Sequence, residues 1–132
     1  MKKQSTLIIT GILLIIIDRL TKIFFREKNF SIFNYSENYN LAFGILKNNI
    51  FIIILTLIII FILISLYLKN KNSKIRLSLI LILSGVISNL VDRIFLGYVI
   101  DFIDLGFWPI FNLADLYSTI GVILLIINFK KW

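Results

Sequence analysis

The hydrophobic pattern divides this chain of 132 residues into four long apolar runs joined by short polar links. A helix that crosses a bilayer needs about 20 mostly apolar residues, and each run approaches that length. The second run has no charged residue, and the others carry charge only toward their ends. The pattern predicts an all-α membrane protein. It would form one domain, residues 1–132, with four transmembrane helices at about 7–25, 50–68, 76–94 and 110–129.

Composition agrees with a membrane location. Hydrophobic residues make up 59% of the chain, whereas soluble domains average roughly 45–50%. The chain contains no His and no Cys. A zinc site of the HExxH type and a Ser–His dyad both need His, so both are excluded, as are disulfides and thiol chemistry. A metal bound by carboxylates has no spacing signature here, and no metal or cofactor is predicted.

Charged residues are divided unequally between the two ends of the predicted helices. All seven acidic residues lie near one end, at positions 18, 27, 37, 92, 101, 104 and 115. The other end has only basic residues, namely Lys2, Lys3, Lys69, Lys71, Lys74, Arg76, Lys130 and Lys131. Because Lys and Arg favour cytoplasmic links, both termini and the 69–76 link are predicted to be cytoplasmic, with the 26–48 and 94–109 links outside. Topology thus explains the net charge of +7, and no nucleic-acid partner is predicted.

The first outer link has the character of β structure. Residues 29–44 alternate in places between apolar and polar side chains and are rich in Phe and Tyr, which favours short strands or a hairpin. We therefore predict a small extracytoplasmic β element between helices 1 and 2. Its aromatic side chains are equally compatible with an interfacial belt and with a floor for an apolar substrate. In the second outer link, residues 98–103 are also β-like, and Trp108-Pro109 then direct the chain back into the membrane.

Two polar clusters lie at the outer ends of predicted helices. Asp18 and Lys22 are four residues apart and share one helix face. We favour an ion pair there that eases polar side chains into the headgroup region by snorkelling. Asn89, Asp92 and Arg93 form the second cluster. Small residues at 84, 85 and 88 precede them, a spacing that allows close helix approach, so we favour a polar clamp between helices.

Asp101 and Asp115 differ because both are embedded in strongly apolar sequence, where an ionisable group is costly. Asn112 is a good N-cap, with Asp115 three residues later as in a capping box. Capping alone would explain Asp115, and a solvated loop position would explain Asp101. If the two carboxyls converge, however, one would hold a proton while the other acts as a base. Such a pair can activate water against an amide. Asp104 competes for this role but is predicted to be more exposed.

Five stretches of the chain match sequence motifs of a known family, and they occur in the same order as in that family. The chain resembles the bacterial lipoprotein signal peptidases, or signal peptidase II, which are membrane aspartyl proteases with four transmembrane helices. The resemblance covers nearly the whole chain. Asn40, Val86 and Ser88 replace smaller residues usual in the family. The matching stretches are Asp18-Arg-Leu-Thr-Lys22, Asn38-Tyr-Asn-Leu-Ala-Phe-Gly44, Ser84-Gly-Val-Ile-Ser-Asn-Leu-Val-Asp-Arg93, Gly97-Tyr-Val-Ile-Asp-Phe-Ile103 and Pro109-Ile-Phe-Asn-Leu-Ala-Asp115.

The resemblance implies an activity and a set of site residues. The family cleaves prolipoproteins just before a diacylglyceryl-modified cysteine and needs no cofactor. Asp101 and Asp115 match its catalytic pair. Six further residues match family positions that line or order the site, namely Asp18, Lys22, Asn38, Asn89, Arg93 and Asn112. The resemblance implies a multi-pass protein of the bacterial cytoplasmic membrane with its active site at the extracytoplasmic face. Its partners would be lipid-modified precursors and membrane lipid, and the chain would be a monomer.

Two other functions are compatible with parts of the pattern. A small proton-coupled transporter or channel also uses embedded acids, but such a protein needs ionisable groups near the bilayer midplane, whereas here they lie at one end. A non-enzymatic scaffold would use the polar clusters to hold helices together, but it leaves Asp101 unexplained. Replacement of Asp101 by Asn separates the three, since it would stop cleavage, change transport or disturb only assembly.

Overall fold

The computed structural model describes residues 2–39 and 49–128, which form four helices and a three-stranded antiparallel sheet. The elements are α1 (Lys2–Phe25), β1 (Asn29–Phe30), β2 (Phe33–Asn38), α2 (Asn49–Lys69), α3 (Ser73–Phe95), β3 (Val99–Ile103) and α4 (Leu113–Ile127). Within this described part, α2 and α3 are long and apolar enough to cross a membrane, while α4 is a shorter apolar helix. The structure is thus mostly helical with a small sheet, and the four-span topology stays a prediction.

Capping residues determine where α3 and α4 begin. Asn72 caps α3 by accepting a hydrogen bond from the backbone N–H of Lys74, so the helix starts at Ser73 and not near residue 76. Asn112 caps α4, which starts at Leu113 and not at residue 110. Before this cap, Phe111 forms an isolated antiparallel bridge with Ile103, so the chain that follows Pro109 is extended. Side-chain oxygens of Asn satisfy N–H groups that a helix start leaves without partners.

Helix α3 lies at the centre of the bundle, because it packs against α1, α2 and α4. Its first half joins α2 in an apolar core that includes Leu63, Tyr67, Ile75 and Leu79. The buried side chains in its second half are largely polar, among them Ser84, Ser88 and Asp92. The apolar core therefore lies toward the 70–72 link, and the polar interior lies toward the end from which the sheet extends.

Backbone contact between α3 and α4 requires glycine at two positions. A Cβ atom added to Gly85 would lie 2.1 Å from the carbonyl oxygen of Ala114, and one added to Gly121 would lie 2.8 Å from that of Ser78. Neither distance is possible for real atoms, so these glycines allow the helices to touch. The close helix approach predicted from the small residues of α3 is confirmed. It brings the second half of α3 against the first turn of α4, where Asp115 lies.

The sheet has the order β1-β2-β3, and it is built from the link between α1 and α2 and the link between α3 and α4. The β structure predicted in the first link is confirmed for residues 29–38, and residues 40–44 lie outside the described residues. The β-like character predicted for residues 98–103 is also confirmed, because β3 joins the sheet from the link between α3 and α4. Asp101 of β3 pairs with Ser36 of β2. Ladder hydrogen bonds thereby fix the backbone that carries Asp101.

A stack of aromatic rings attaches the sheet to the bundle. The ring of Phe25, at the end of α1, stacks on Phe33 of β2 and on Phe102 of β3, with ring centroids 4.3 and 4.8 Å apart. Phe102 neighbours Asp101 and is buried. Because side chains of adjacent strand residues point to opposite faces, this contact turns Asp101 away from the aromatic stack.

Candidate active site

Asp101 and Asp115 line the same cavity, which has a volume of about 320 Å³. Asp101 comes from β3, and Asp115 comes from the first turn of α4. Asn38, Asn89 and Arg93 also line the cavity. The convergence expected for the two carboxyls is therefore present in the structure, and it places three polar side chains beside them.

Asp101 is buried, with only 2% of its surface exposed, so the solvated-loop interpretation is wrong. Its Oδ1 accepts a hydrogen bond of 2.6 Å from Nδ2 of Asn112, and its Oδ2 accepts one of 2.9 Å from Nδ2 of Asn38. Burial, with the negative charge of Asp115, raises the pKa of Asp101 to about 7, although the two amide donors act in the opposite direction. Near neutral pH this carboxyl is therefore present in both its protonated and its ionised form.

Asp115 is held by the start of its own helix. Its Oδ2 accepts a hydrogen bond from the backbone N–H of Asn112 at 3.2 Å, and Oδ1 of Asn112 accepts one from the N–H of Asp115 at 3.0 Å. This is the predicted capping box, and it is confirmed. Oδ1 of Asp115 accepts a further bond of 2.8 Å from Nδ2 of Asn89. Capping alone does not account for Asp115, because its second oxygen faces α3 and the shared cavity.

Asn112 connects the two carboxyls directly. It is fully buried, its backbone and Oδ1 engage Asp115, and its Nδ2 reaches Oδ1 of Asp101. The same Nδ2 lies 3.2 Å from Oδ1 of Asn89. One residue thus serves as helix cap and as the bridge that fixes the spacing of the pair.

A network of four charges lies behind the cavity. Nζ of Lys22 contacts Oδ2 of Asp18 and Oδ2 of Asp92, both at 2.8 Å, and the side chains of all three residues are fully buried. Arg19 completes the network by pairing with Asp92. The snorkelling interpretation of Asp18 and Lys22 is therefore wrong, because neither side chain reaches the surface. The polar clamp predicted for α3 is confirmed, with Asp92 as its charged member.

The buried network is joined to the pair of carboxyls by Asn89. Oδ1 of Asn89 accepts a hydrogen bond of 2.8 Å from Nζ of Lys22, so its Nδ2 is directed toward Asp115. Asp18 makes a separate link, since its Oδ1 accepts from the backbone N–H of Ala114 at 2.9 Å and its Oδ2 from Ser88 at 2.5 Å. Hydrogen bonds and ion pairs thus connect α1, α3 and α4 at the end of the bundle next to the sheet.

Three members of this network were not among the site residues predicted from sequence, namely Arg19, Ser88 and Asp92. Asp92 also contacts the sheet, because its Oδ2 lies 3.4 Å from the backbone N of Ile100. Charge complementarity could have predicted these contacts, because α1 and α3 each carry acidic and basic residues at the same end of the bundle. Ser88 is one of the departures from the family pattern, and here its hydroxyl satisfies a buried carboxylate.

Asp104 lies apart from the cavity. Its carboxylate accepts hydrogen bonds from Nδ2 of Asn34 and from the backbone N–H of Gly106, and these bonds lower its pKa below the usual value. It is more exposed than Asp101, as predicted, so it does not compete for the same role. Across residues 2–39 and 49–128, no cluster of three or more acidic side chains is arranged to hold a metal ion.

Comparison with known proteins identifies the family. The model of signal peptidase (SPase) II matches residues 10–131. The chain belongs to the signal peptidase II family. A lipoprotein signal peptidase of Clostridium tetani is 42% identical over 143 residues, covering 94% of this chain and 92% of the relative. One from Caldanaerobacter subterraneus subsp. tengcongensis is 44% identical over 101 residues, covering 74% and 70%.

Solved structures share the fold of this chain. Two bacterial membrane enzymes superpose with TM-scores of 0.85 and 0.82 at 32% and 31% identity, and they cover 96% and 95% of this chain and 88% and 92% of their own. Members of the signal peptidase II family are aspartic endopeptidases of the bacterial inner membrane. The function of this chain is the removal of signal peptides from lipoprotein precursors. The comparisons thus favour the protease over the transporter and the scaffold.

Proposed function

We propose that Asp101 and Asp115 are the catalytic pair of this signal peptidase II and that it cuts just before a diacylglyceryl-modified cysteine. The observation that carries the assignment is their convergence on one cavity, with Asn112 bridging them. Asn38, Asn89 and Asn112 order the pair through hydrogen bonds. Arg93 lines the cavity beside them, and Asp18 and Lys22 support the site from behind.

Both carboxyls are desolvated, but their contacts differ. Asp115 lies at the positive end of the α4 dipole and accepts hydrogen bonds from Asn112 and from Asn89, which is in turn held by the Lys22 cation, and these contacts oppose the effect of its burial. Asp101 is desolvated and has a pKa of about 7. We therefore assign the resting proton to Asp101 and the role of general base to Asp115.

Peptide hydrolysis then follows with a complete proton balance. The Asp115 carboxylate takes a proton from water as the water oxygen attacks the scissile carbonyl carbon, and Asp101 gives its proton to the carbonyl oxygen. The resulting diol collapses, the C–N bond breaks, and the proton held by Asp115 passes to the leaving nitrogen. A proton from the diol returns to Asp101. The products are a carboxyl-ended signal peptide and the free amine of the modified cysteine.

The cleavage position provides a direct test. Purified protein in lipid or detergent is expected to convert a diacylglyceryl-modified prolipoprotein into two products, with the new amino terminus at the modified cysteine, as read by mass spectrometry. The matched control is the same precursor without the lipid, which we expect to remain intact. Cleavage elsewhere, or equal cleavage of the unmodified precursor, would contradict the proposed specificity.

We further propose that residues 1–132 form a single integral-membrane domain with four spans and cytoplasmic termini, and that the catalytic pair lies at the extracytoplasmic face. The acidic residues and the sheet share one end of the bundle, while the link at residues 70–72 lies at the basic end. Many side chains of α1, α2 and α4 are apolar and exposed, as expected for surfaces in contact with lipid. In this arrangement the bilayer delivers the precursor, and the chain acts as a monomer.

Single cysteines test the orientation, since the chain has none of its own. Glu27 and Lys71 are both exposed, at opposite ends of the bundle. In intact cells a membrane-impermeant maleimide is expected to label Glu27→Cys and not Lys71→Cys, whereas both react after permeabilisation. The reverse pattern in intact cells would refute the proposed topology.

A further inference from the structure

The turn between α2 and α3 concentrates basic side chains without a balancing acid. Lys69, Lys71, Lys74 and Arg76 fall within eight positions, and the nearest acidic residue in sequence is Asp92, near the other end of α3. None of the ion pairs in the described part of the chain includes one of these four cations. Orientation in a membrane needs only the charge of such residues. It places no demand on where their side chains point, so a fixed side chain among them requires a second explanation.

Arg76 is such a fixed side chain. Its Nε donates a hydrogen bond of 2.6 Å to the backbone oxygen of Asn70, and its guanidinium lies over the ring of Tyr67, 5.0 Å from the ring centroid. Among the described residues, no hydrogen bond engages its two terminal NH₂ groups. A planar guanidinium presents such donors in a fork that matches two oxygens of a phosphate. The turn therefore offers a positioned ligand for phosphate in addition to mobile lysines.

Asparagine side chains fix the backbone of the same turn. Oδ1 of Asn70 accepts a hydrogen bond of 2.8 Å from the N–H of Asn72, and Oδ1 of Asn72 accepts one of 3.0 Å from the N–H of Lys74. The second of these bonds caps α3, so the positive end of the helix dipole lies beside Lys74 and Arg76. A helix start together with fixed cations favours an anion at this place.

The hydroxyl of Tyr67 points to a ligand at the same place by a different argument. Tyr67 is 7% exposed, and its hydroxyl is buried without a hydrogen-bond partner among the described residues. Buried polar atoms without a partner are rare in folded proteins. Arg76 lies half-buried over the same ring, so an anion toward which Arg76 turns would be adjacent to this hydroxyl. A phosphate oxygen is an acceptor of the kind that the hydroxyl needs.

An exposed apolar strip on α2 leads to the basic turn. Phe61, Ile64 and Leu68 follow each other at spacings of three and four residues, which places them on one helix face, and 72%, 42% and 67% of their surfaces are exposed. A cluster of cations directly beyond an apolar helix is the pattern that binds the headgroups of anionic lipids. Free phosphate would use the cations and leave the strip without a role. The combination therefore matches a phospholipid.

We propose that Arg76 and the hydroxyl of Tyr67 bind the phosphate of an anionic phospholipid whose chains lie along α2. The exposed lysines of the turn contribute only long-range attraction. The inference rests on the proposed membrane topology, which makes the leaflet on this side the cytoplasmic one. The lipid would join the end of α2 to the start of α3, at the end of the bundle opposite the catalytic pair. Because it binds the folded chain, it would stabilise the fold.

Lipid retention tests the proposal, with native mass spectrometry of the purified protein in detergent micelles as the readout. We expect the wild type to retain phosphatidylglycerol about tenfold more tightly than phosphatidylcholine, whose headgroup has no net charge. Arg76→Gln should lower the affinity for phosphatidylglycerol about tenfold, since a hydrogen bond between charged groups accounts for a factor of roughly that size. Tyr67→Phe changes no charge and should lower it about threefold, as a neutral hydrogen bond would.

Lys71→Gln is the matched control, because it removes the same charge from the same turn at an exposed position. It should change the affinity less than about twofold, since exposed charges are screened. Thermal midpoints in lipid-free micelles show whether each variant is folded. Added phosphatidylglycerol should raise the midpoint of the wild type and of Lys71→Gln, but not that of Arg76→Gln. If Arg76→Gln does not fold, Tyr67→Phe carries the test, because it keeps both the charge and the ring.

Four outcomes would overturn the lipid site. Equal retention of the two lipids by the wild type would remove the preference for an anionic headgroup. Equal losses in Arg76→Gln and Lys71→Gln would show diffuse attraction alone, and an unchanged affinity in Tyr67→Phe would refute the role of the hydroxyl. Displacement of the lipid by millimolar inorganic phosphate would assign the cations to free phosphate.

The lipid measurements need no turnover, so they separate this inference from the proposed cleavage. A wild type that cuts the precursor at the modified cysteine but shows no lipid preference would overturn the lipid site alone. A wild type that retains phosphatidylglycerol as expected but does not cut the precursor would contradict the proposed function alone.

Discussion

Replacement of either catalytic carboxyl, in Asp101→Asn or Asp115→Asn, is expected to reduce kcat by a factor of about 10³ or more. A positioned acid or base contributes about 10² to 10⁴ in rate, and each carboxyl acts in both halves of the proposed reaction. Asn is nearly isosteric and can still accept a hydrogen bond, but it cannot gain or lose the proton. Initial rates of precursor cleavage, with substrate well above KM, measure the effect.

Stability separates a catalytic defect from a folding defect. The pKa of Asp101 is raised from 3.8 to about 7 in the folded chain. The unfolded chain therefore binds fewer protons between these values, and folding stability is lost as the pH rises through about 7. Asp101→Asn removes this loss, so at pH 8 its thermal midpoint should equal or exceed that of the wild type. Inactivity combined with such a midpoint would assign the defect to chemistry.

Asp104→Asn is the matched control for the catalytic variants. Asp104 lies three residues after Asp101 on the same link, but its carboxylate contacts Asn34 and Gly106 outside the cavity. Its replacement should leave kcat within about threefold of wild type, since it touches neither reacting group. Retained activity in Asp101→Asn or Asp115→Asn, or an equal loss in Asp104→Asn, would refute the assignment of the pair.

Local sequence signals predicted the parts of the fold that depend on neighbouring residues. The capping box of Asn112 and Asp115 follows from a spacing of three, and the β structure of residues 29–38 follows from alternation and aromatic content. The close contact at Gly85 follows from a run of small residues. Each of these signals lies within one helical turn or one strand, where the relevant partner is close in sequence.

The burial of Asp18 and Lys22 depends on partners that are distant in sequence. Asp18 contacts Ser88 and Ala114, which follow it by 70 and 96 positions, and the identity of these partners is fixed only by helix packing. The pairing of β3 is a similar case, since its β character was predicted but its partner β2 precedes it by two helices. Periodicity identifies the helices, but it does not show which polar faces meet.

Lys22→Met is expected to have the second largest effect, because it leaves two buried carboxylates without their shared cation. Lys22 lies between Asp18 and Asp92, and all three side chains are fully buried. Removal of one partner from a buried ion pair costs about 3–5 kcal/mol. We therefore expect a large fall in the midpoint of thermal unfolding in detergent, together with loss of cleavage. Lys28→Met, at an exposed position where the amino group lies over the ring of Phe24, is the matched control and should change little.

The double variant Lys22→Met/Asp18→Asn distinguishes a positioning role of Lys22 from a purely structural one. It removes one positive and one negative charge, so the remaining Arg19–Asp92 pair stays balanced and much of the lost stability should return. Asn89 would still lack the ammonium that holds its Oδ1, and its Nδ2 would no longer be directed at Asp115. We therefore expect kcat to stay at least about tenfold below wild type, since one hydrogen bond to a charged group contributes roughly 1.5–3 kcal/mol. KM should change little, because Lys22 is buried behind the cavity. Full recovery of kcat together with stability would show that Lys22 acts only by holding the helices together, and that Asn89 keeps its orientation by other means.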